Sequence, residues 1–255
     1  MDGKQSEIIQ HSPGIQERRE YASLEQLFAS LKRGDSSYRN LIEQLPSGSN
    51  TQIDTPYSDA IYKWLQGHSQ SNEDHPKDVE WIENHVRGNL MVDLGGAERL
   101  TMLTVASWFG AKGYIDVDKN ISKSLPYDPT KNQIKEFQGG RYTRREDDTE
   151  IAVVKSDMLD FVARLEDESI GVYTLNGIDY GVLTDRDYRN ALTAEIARTL
   201  KPGGIVFGHD FSPIYDQFTH IDKRAHFAKQ GIFPVRLPSL HQGIMIVEKR
   251  LQPGK

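Results

Sequence analysis

Asp93, Asp118, Asp157, Asp179 and the pair His209-Asp210 each stand at or just beyond the end of a short apolar run. A carboxylate in that position can accept hydrogen bonds from hydroxyl or amino groups. An imidazole beside a carboxylate titrates near neutral pH and can serve as a general base. The chain has no cysteine, which excludes disulfides, thiolate nucleophiles and thiolate metal ligands. The first of these acids opens the most informative stretch, in which the strand Asn89 to Leu94 runs into Gly95-Gly96-Ala97-Glu98-Arg99 and then a helical pattern to Phe109. A strand that turns sharply into a helix beside a ligand needs glycine, because side chains obstruct both the turn and the approach of the backbone. The stretch reads as a nucleotide-cofactor turn, although the fingerprint G-x-G-x-x-G is absent, with Ala97 and Arg99 where further glycines are expected.

The elements that must position these residues alternate. Pro76 at a first helical position, with Val79, Trp81, Ile82 and Val86 behind it, predicts a helix ending at Gly88. After the glycine turn and its helix, Tyr114 to Val117 is a second strand, Ile151 to Val154 a third, and Ile170 to Leu175 a fourth. A helix from Met158 to Leu165 follows the third strand, and one capped by Thr184 to Asp187 follows the fourth. Lys201-Pro202-Gly203-Gly204 turns the chain into a fifth strand, Ile205 to Gly208, followed by a mostly helical region from Pro213 to Gln230. Phe233 to Arg236 and Gly243 to Glu248 close the chain as a hairpin. Residues 119 to 149, rich in Lys, Asp, Arg and Gln, read as an insertion with a short helix near Lys131 to Phe137. Residues 1–75 read as a partly flexible helical extension, with helices near Leu24 to Lys32, Tyr38 to Leu45 and Ser58 to Gln66, preceding a main domain over 76–255.

At 255 residues, one α/β domain with an N-terminal extension accounts for the length. A net charge of −6 gives no overall footprint for nucleic acid. The first twenty residues lack the apolar core of a signal peptide and no run approaches a membrane span, so a soluble cytoplasmic protein is expected.

Taken in order, the glycine turn, the acids after strands two and three, Leu200-Lys201-Pro202-Gly203-Gly204 before strand five and the terminal hairpin resemble the class I S-adenosylmethionine-dependent methyltransferases. The resemblance covers roughly Pro76 to Lys249. It implies a Rossmann-like three-layer sandwich whose seven-stranded, mostly parallel sheet has the order 3-2-1-4-5-7-6 with strand seven antiparallel. It also implies S-adenosylmethionine as cofactor, with Asp93 and Gly95 at its methionine end and the backbone of Gly96 and Ala97 close by. Asp118, 25 residues after Asp93, matches the acid that accepts from both ribose hydroxyls, with Asp116 as the second choice. Asp157 matches the acid that meets the adenine amino group, and Met158 the apolar contact to its ring, while Asp157 is equally a favoured N-cap. Asn176 would form a polar wall near the transferring methyl.

His209 and Asp210, with Asp179, are the candidate catalytic residues. A hydroxyl acceptor needs a base, which His209 with Asp210 offers, or a divalent cation held by Asp179 and Asp210. The expected activity is methyl transfer to an oxygen of a small molecule, with no nucleic acid or membrane partner. The alternatives are a non-catalytic cofactor-binding or regulatory protein on the same fold, and a nicotinamide-dependent oxidoreductase, disfavoured by the missing glycine and the closing hairpin. The oligomeric state is not legible.

Overall fold

A computed structural model describes residues 73–96, 102, 105–106, 109–119, 134–138, 141–144, 150–154, 156–175, 178–209, 212–239 and 244–251. The expected helices within residues 24–66 lie outside them, as do Ala97, Arg99, Asn176 and Asp210. The strands are β1 (Leu90–Leu94), β2 (Gly113–Val117), β3 (Ile134–Gln138), β4 (Arg141–Arg144), β5 (Glu150–Val154), β6 (Ile170–Leu175), β7 (Leu200–His209), β8 (Ile232–Val235) and β9 (Ile244–Lys249). They form one sheet in the order β3-β4-β5-β2-β1-β6-β7-β9-β8. The run β5-β2-β1-β6-β7 is parallel, and β9 is antiparallel to both of its neighbours, β7 and β8. Without the β3–β4 hairpin, the order in chain numbering is 3-2-1-4-5-7-6, with the last strand antiparallel.

The hairpin is a correction to the expected insertion. Where a short helix was predicted near Lys131 to Phe137, β3 pairs with β4, and β4 pairs antiparallel with β5, so among the described residues the sheet has nine strands rather than seven. Gln138 is the register partner of Arg141, leaving only Gly139-Gly140 between the strands. Gly-Gly is among the dipeptides that fit two-residue hairpin turns, and the extra strands occupy the edge that β5 would otherwise present to solvent.

Helices cover both faces of the sheet. On one face, α1 (His75–Val86) buries Ile82 and Val86 beside the helical residues Met102, Val105 and Ala106, against Met91, Tyr114 and Val172. On the other lie α2 (Met158–Val162), α3 (Arg186–Thr199), α4 (Pro213–Thr219) and α5 (Ile221–Ala228). These helices contribute Phe161, Leu192, Ile196, Phe218 and Phe227 to a core built on Val92, Ile115 and Tyr173. The two cores alternate along β1, β2 and β9 and along β7 from Ile205, as the twofold side-chain period requires. Helix α1 is fastened at the far end of the chain, where the buried Asp78 Oδ2 accepts from the Ser239 amide at 2.6 Å. Among the described residues no helix is long and apolar enough to cross a membrane.

Candidate functional site

Strand β1 is central, and its neighbours β2 and β6 lead the chain away in opposite directions, so a crevice opens beyond its carboxyl end. Open α/β sheets bind ligands at such a switch point. A cleft of about 200 Å³ lies there, lined by Gly95 after β1, Asp118 after β2, Ser156, Asp157 and Met158 after β5, and the segment from Ile178 onward after β6.

Gly95 forms the floor. Its φ of +79° lies in the left-handed region, its amide donates to the Val117 carbonyl at 2.8 Å, and an added Cβ would lie 2.1 Å from Ile178 Cδ1. No other residue type fits both the conformation and the space. Ile178, 6% exposed, and Met158, whose Sδ lies 3.8 Å from the same point, line the cleft over this glycine. At Gly96 a Cβ would meet carboxylates instead, Asp116 Oδ1 at 2.5 Å and Asp93 Oδ2 at 2.9 Å.

The acids are thereby separated into two groups. Asp118 lines the cleft although only 8% exposed, held between strand ends by its amide bond to the Val154 carbonyl at 3.1 Å and by the Ser156 amide bonding its own carbonyl at 3.3 Å. Asp93, 2% exposed, does not line the cleft. Its Oδ2 accepts from the Tyr114 hydroxyl at 2.7 Å and its Oδ1 from the Thr174 hydroxyl at 2.6 Å. Burial pushes the Asp93 carboxyl up to about 6, the two hydroxyls oppose that rise, and the Asp118 charge adds to it. Asp93 is the register partner of Asp116, which is also fully buried. The side chain expected at the methionine end of a cofactor thus sits beneath the glycine turn.

Asp157 fulfils its capping role, accepting on Oδ1 from the amides of Leu159 at 2.9 Å and Asp160 at 3.4 Å, and still lines the cleft beside Met158. Asp179 spends its Oδ1 on the amides of Gly181 at 2.8 Å and Val182 at 3.0 Å, turning the chain toward α3. It is absent from the cleft lining, and among the described residues no group of three or more His, Asp or Glu is placed to hold a metal. Asp210, with which Asp179 was expected to hold a divalent cation, lies outside the described residues. His209 ends β7 opposite Ile244, at the same edge of the sheet. Sequence reasoning missed Val182, Leu183 and Tyr188 as lining residues. Tyr188 falls on the apolar stripe of α3 and reads as core, and only its hydroxyl signals another role.

This strand order, with its antiparallel last insertion and its cleft at the switch point, is the class I S-adenosylmethionine-dependent methyltransferase fold. No protein-family profile matches the sequence, and no curated protein is similar to it by sequence. Similar solved structures include a Methanococcus maripaludis protein described as an S-adenosylmethionine-dependent methyltransferase, at 15% identity over 82% of this chain and 100% of that one, with a TM-score of 0.43. A Haloferax volcanii protein described as a methyltransferase, in complex with the Trm112 methyltransferase activator, is 14% identical over 78% of this chain and 100% of its own, with a TM-score of 0.42. Haemonchus contortus phosphoethanolamine N-methyltransferase 2 is 18% identical over 78% of this chain and 46% of its own, with a TM-score of 0.38. At these identities and scores the likenesses add nothing to the strand order, on which the fold assignment rests.

Proposed function

We propose that the chain binds S-adenosylmethionine in the cleft after β1 and transfers its methyl group to an acceptor held near the carboxyl ends of β6 and β7. The observation that carries this reading is Asp118, a buried carboxylate at the end of β2 that opens into the cleft beside the glycine turn. The donor set suits the cofactor: Asp118 to accept from the ribose hydroxyls, Met158 and Ile178 to contact a flat base, and Gly95 to let backbone approach without a side chain. S-adenosylmethionine supplies an electrophilic methyl on sulfur. The protein's part is to align an acceptor with it, and that positioning needs no covalent enzyme intermediate.

Calorimetry with S-adenosylmethionine, S-adenosylhomocysteine and NAD tests the reading. Asp118→Ala is expected to weaken S-adenosylhomocysteine binding by about 1.5 to 3 kcal/mol, the range for hydrogen bonds to a charged group, with the melting transition retained. NAD binding in place of the sulfur cofactors favours a nicotinamide oxidoreductase. Tight cofactor binding without turnover of any acceptor favours a regulatory protein on the same fold.

The acceptor is proposed to be an oxygen of a small molecule, with His209, backed by Asp210, as its base. The position of His209 at the end of β7 and the net charge of −6, which offers nucleic acid no overall attraction, support this choice. Once a substrate is found, His209→Ala is expected to lower turnover about a hundredfold, and chelator to leave the wild type unaffected. Full activity in both His209→Ala and Asp210→Asn removes the pair from the mechanism.

A further inference from the structure

One polar contact crosses the cleft without a part in the chemistry above. Tyr188, on the first turn of α3, donates its phenol hydrogen to Asp157 Oδ1 at 2.8 Å, and the Leu159 amide reaches the phenol oxygen at 3.3 Å. Together with the two capping amides, every hydrogen bond to the Asp157 side chain among the described residues falls on Oδ1. Oδ2, on a residue that lines the cleft, accepts from none of the described residues. A capping carboxylate can satisfy helix amides with either oxygen. A third donor arriving from a different helix fixes which oxygen is used and the plane of the group.

The phenol is built to stay a donor. Burial first, and then the neighbouring Asp157 charge, push its ionisation far above the usual tyrosine range. Its helix is tied to the cleft wall as well: Asp185 caps α3 through the amides of Asp187 at 2.7 Å and Tyr188 at 2.9 Å. One turn on, Arg189 donates to the carbonyls of Leu183 at 2.6 Å and Thr184 at 2.9 Å.

We infer that Tyr188 is a positioning residue for base recognition: it locks Asp157 so that Oδ2 accepts from the exocyclic amine of a bound nucleoside, selecting a 6-aminopurine over a 6-oxopurine. The inference rests on the cofactor reading and adds to it the residue that sets base choice. A 6-oxo group turns its own lone pairs toward the carboxylate, leaving a buried acceptor facing an acceptor, and sites built around one hydrogen bond reject such analogues strongly.

The test is calorimetric binding of S-adenosylhomocysteine and its 6-oxo analogue, S-inosylhomocysteine, to the wild type, Tyr188→Phe and Asp157→Asn. The wild type is expected to prefer the adenosyl ligand by about a hundredfold. Tyr188→Phe, which removes only a hydroxyl, is expected to reduce that preference about tenfold, with affinity for the inosyl ligand unchanged. Asp157→Asn keeps an oxygen for the cap and for Tyr188 and presents an amide NH2 where Oδ2 stood, so the preference should invert. If Tyr188→Phe weakens both ligands equally, the phenol only supports the fold and the inference is overturned while the cofactor reading stands. If the wild type binds neither ligand, the cofactor reading fails and takes this inference with it.

Discussion

Gly95→Ala is expected to lower stability by about 2 to 5 kcal/mol and to abolish measurable S-adenosylhomocysteine binding while leaving a folded protein at room temperature. Two separate effects combine. An L-residue held in the left-handed region is disfavoured by about 1 to 2 kcal/mol, and the φ of +79° imposes that at this position. The new methyl would also lie 2.1 Å from Ile178 Cδ1 and 3.0 Å from Ile178 Cγ1. Ile178 is 6% exposed and packed in the core as well as lining the cleft, so relieving the overlap means displacing a packed side chain, which resembles overpacking at about 1 to 3 kcal/mol. Gly88 supplies the control, since its φ of +69° is similar but nothing lies within 4 Å of its added Cβ. Gly88→Ala should therefore show the backbone part alone and leave binding intact. In the double variant Gly95→Ala/Ile178→Ala the steric part should be relieved and the backbone part persist. Thermal unfolding by circular dichroism separates these cases, and equal losses at Gly88 and Gly95 would show that Ile178 yields freely.

The parallel strands were legible because each strand–helix unit carries its own punctuation: the glycines after Leu94, the acids at Asp118 and Asp157, and the cap before α3. The β3–β4 hairpin was hidden by its charged residues, which outweighed a Gly-Gly signal flanked by only four or five residues on each side. The Pro202-Gly203-Gly204 signal was read correctly as a break but assigned the wrong consequence. Strand β7 runs through it from Leu200 to His209, and the register moves from Ile170 opposite Leu200 to Val172 opposite Ile205. Between those pairs β7 carries three more residues than β6, an irregularity within the strand with Gly203 at a φ of +76°. At the site, the resemblance placed both Asp118 and Asp93 against the cofactor, and local sequence could not show that only Asp118 lines the cleft. What distinguishes them is register: Tyr114 and Thr174 come to Asp93 from positions 21 and 81 residues away. Tyr188 was invisible for the same reason, since its partner Asp157 lies 31 residues earlier in the chain.

Asp93→Asn is expected to flatten the stability of the protein between about pH 4 and pH 6 and to gain relative to the wild type as pH rises. In the folded state burial holds the Asp93 carboxyl at about 6, against 3.8 for an aspartate in the unfolded chain. Between those values the native state binds more protons than the unfolded state, so stability falls as pH increases through the window. Below it the carboxyl is neutral in both states and the penalty is absent. Above it both states are ionised and the penalty is complete, at about 3 kcal/mol from 1.36 kcal/mol per pH unit. Asparagine keeps an oxygen to accept from Thr174 or Tyr114 but carries no charge, so the variant loses the slope without leaving a void. Other carboxylates titrate in the same window, but their contributions cancel when variant and wild type are compared at each pH. Denaturant unfolding of both proteins at pH 4.5 and pH 7.5 gives that difference, and a constant value across the range would show that the native carboxyl titrates normally. A carboxylate kept ionised against such a penalty, 2.9 Å from where a side chain on Gly96 would begin, does not serve stability. It places negative charge directly under the glycine turn, where perturbed acids gather at functional sites.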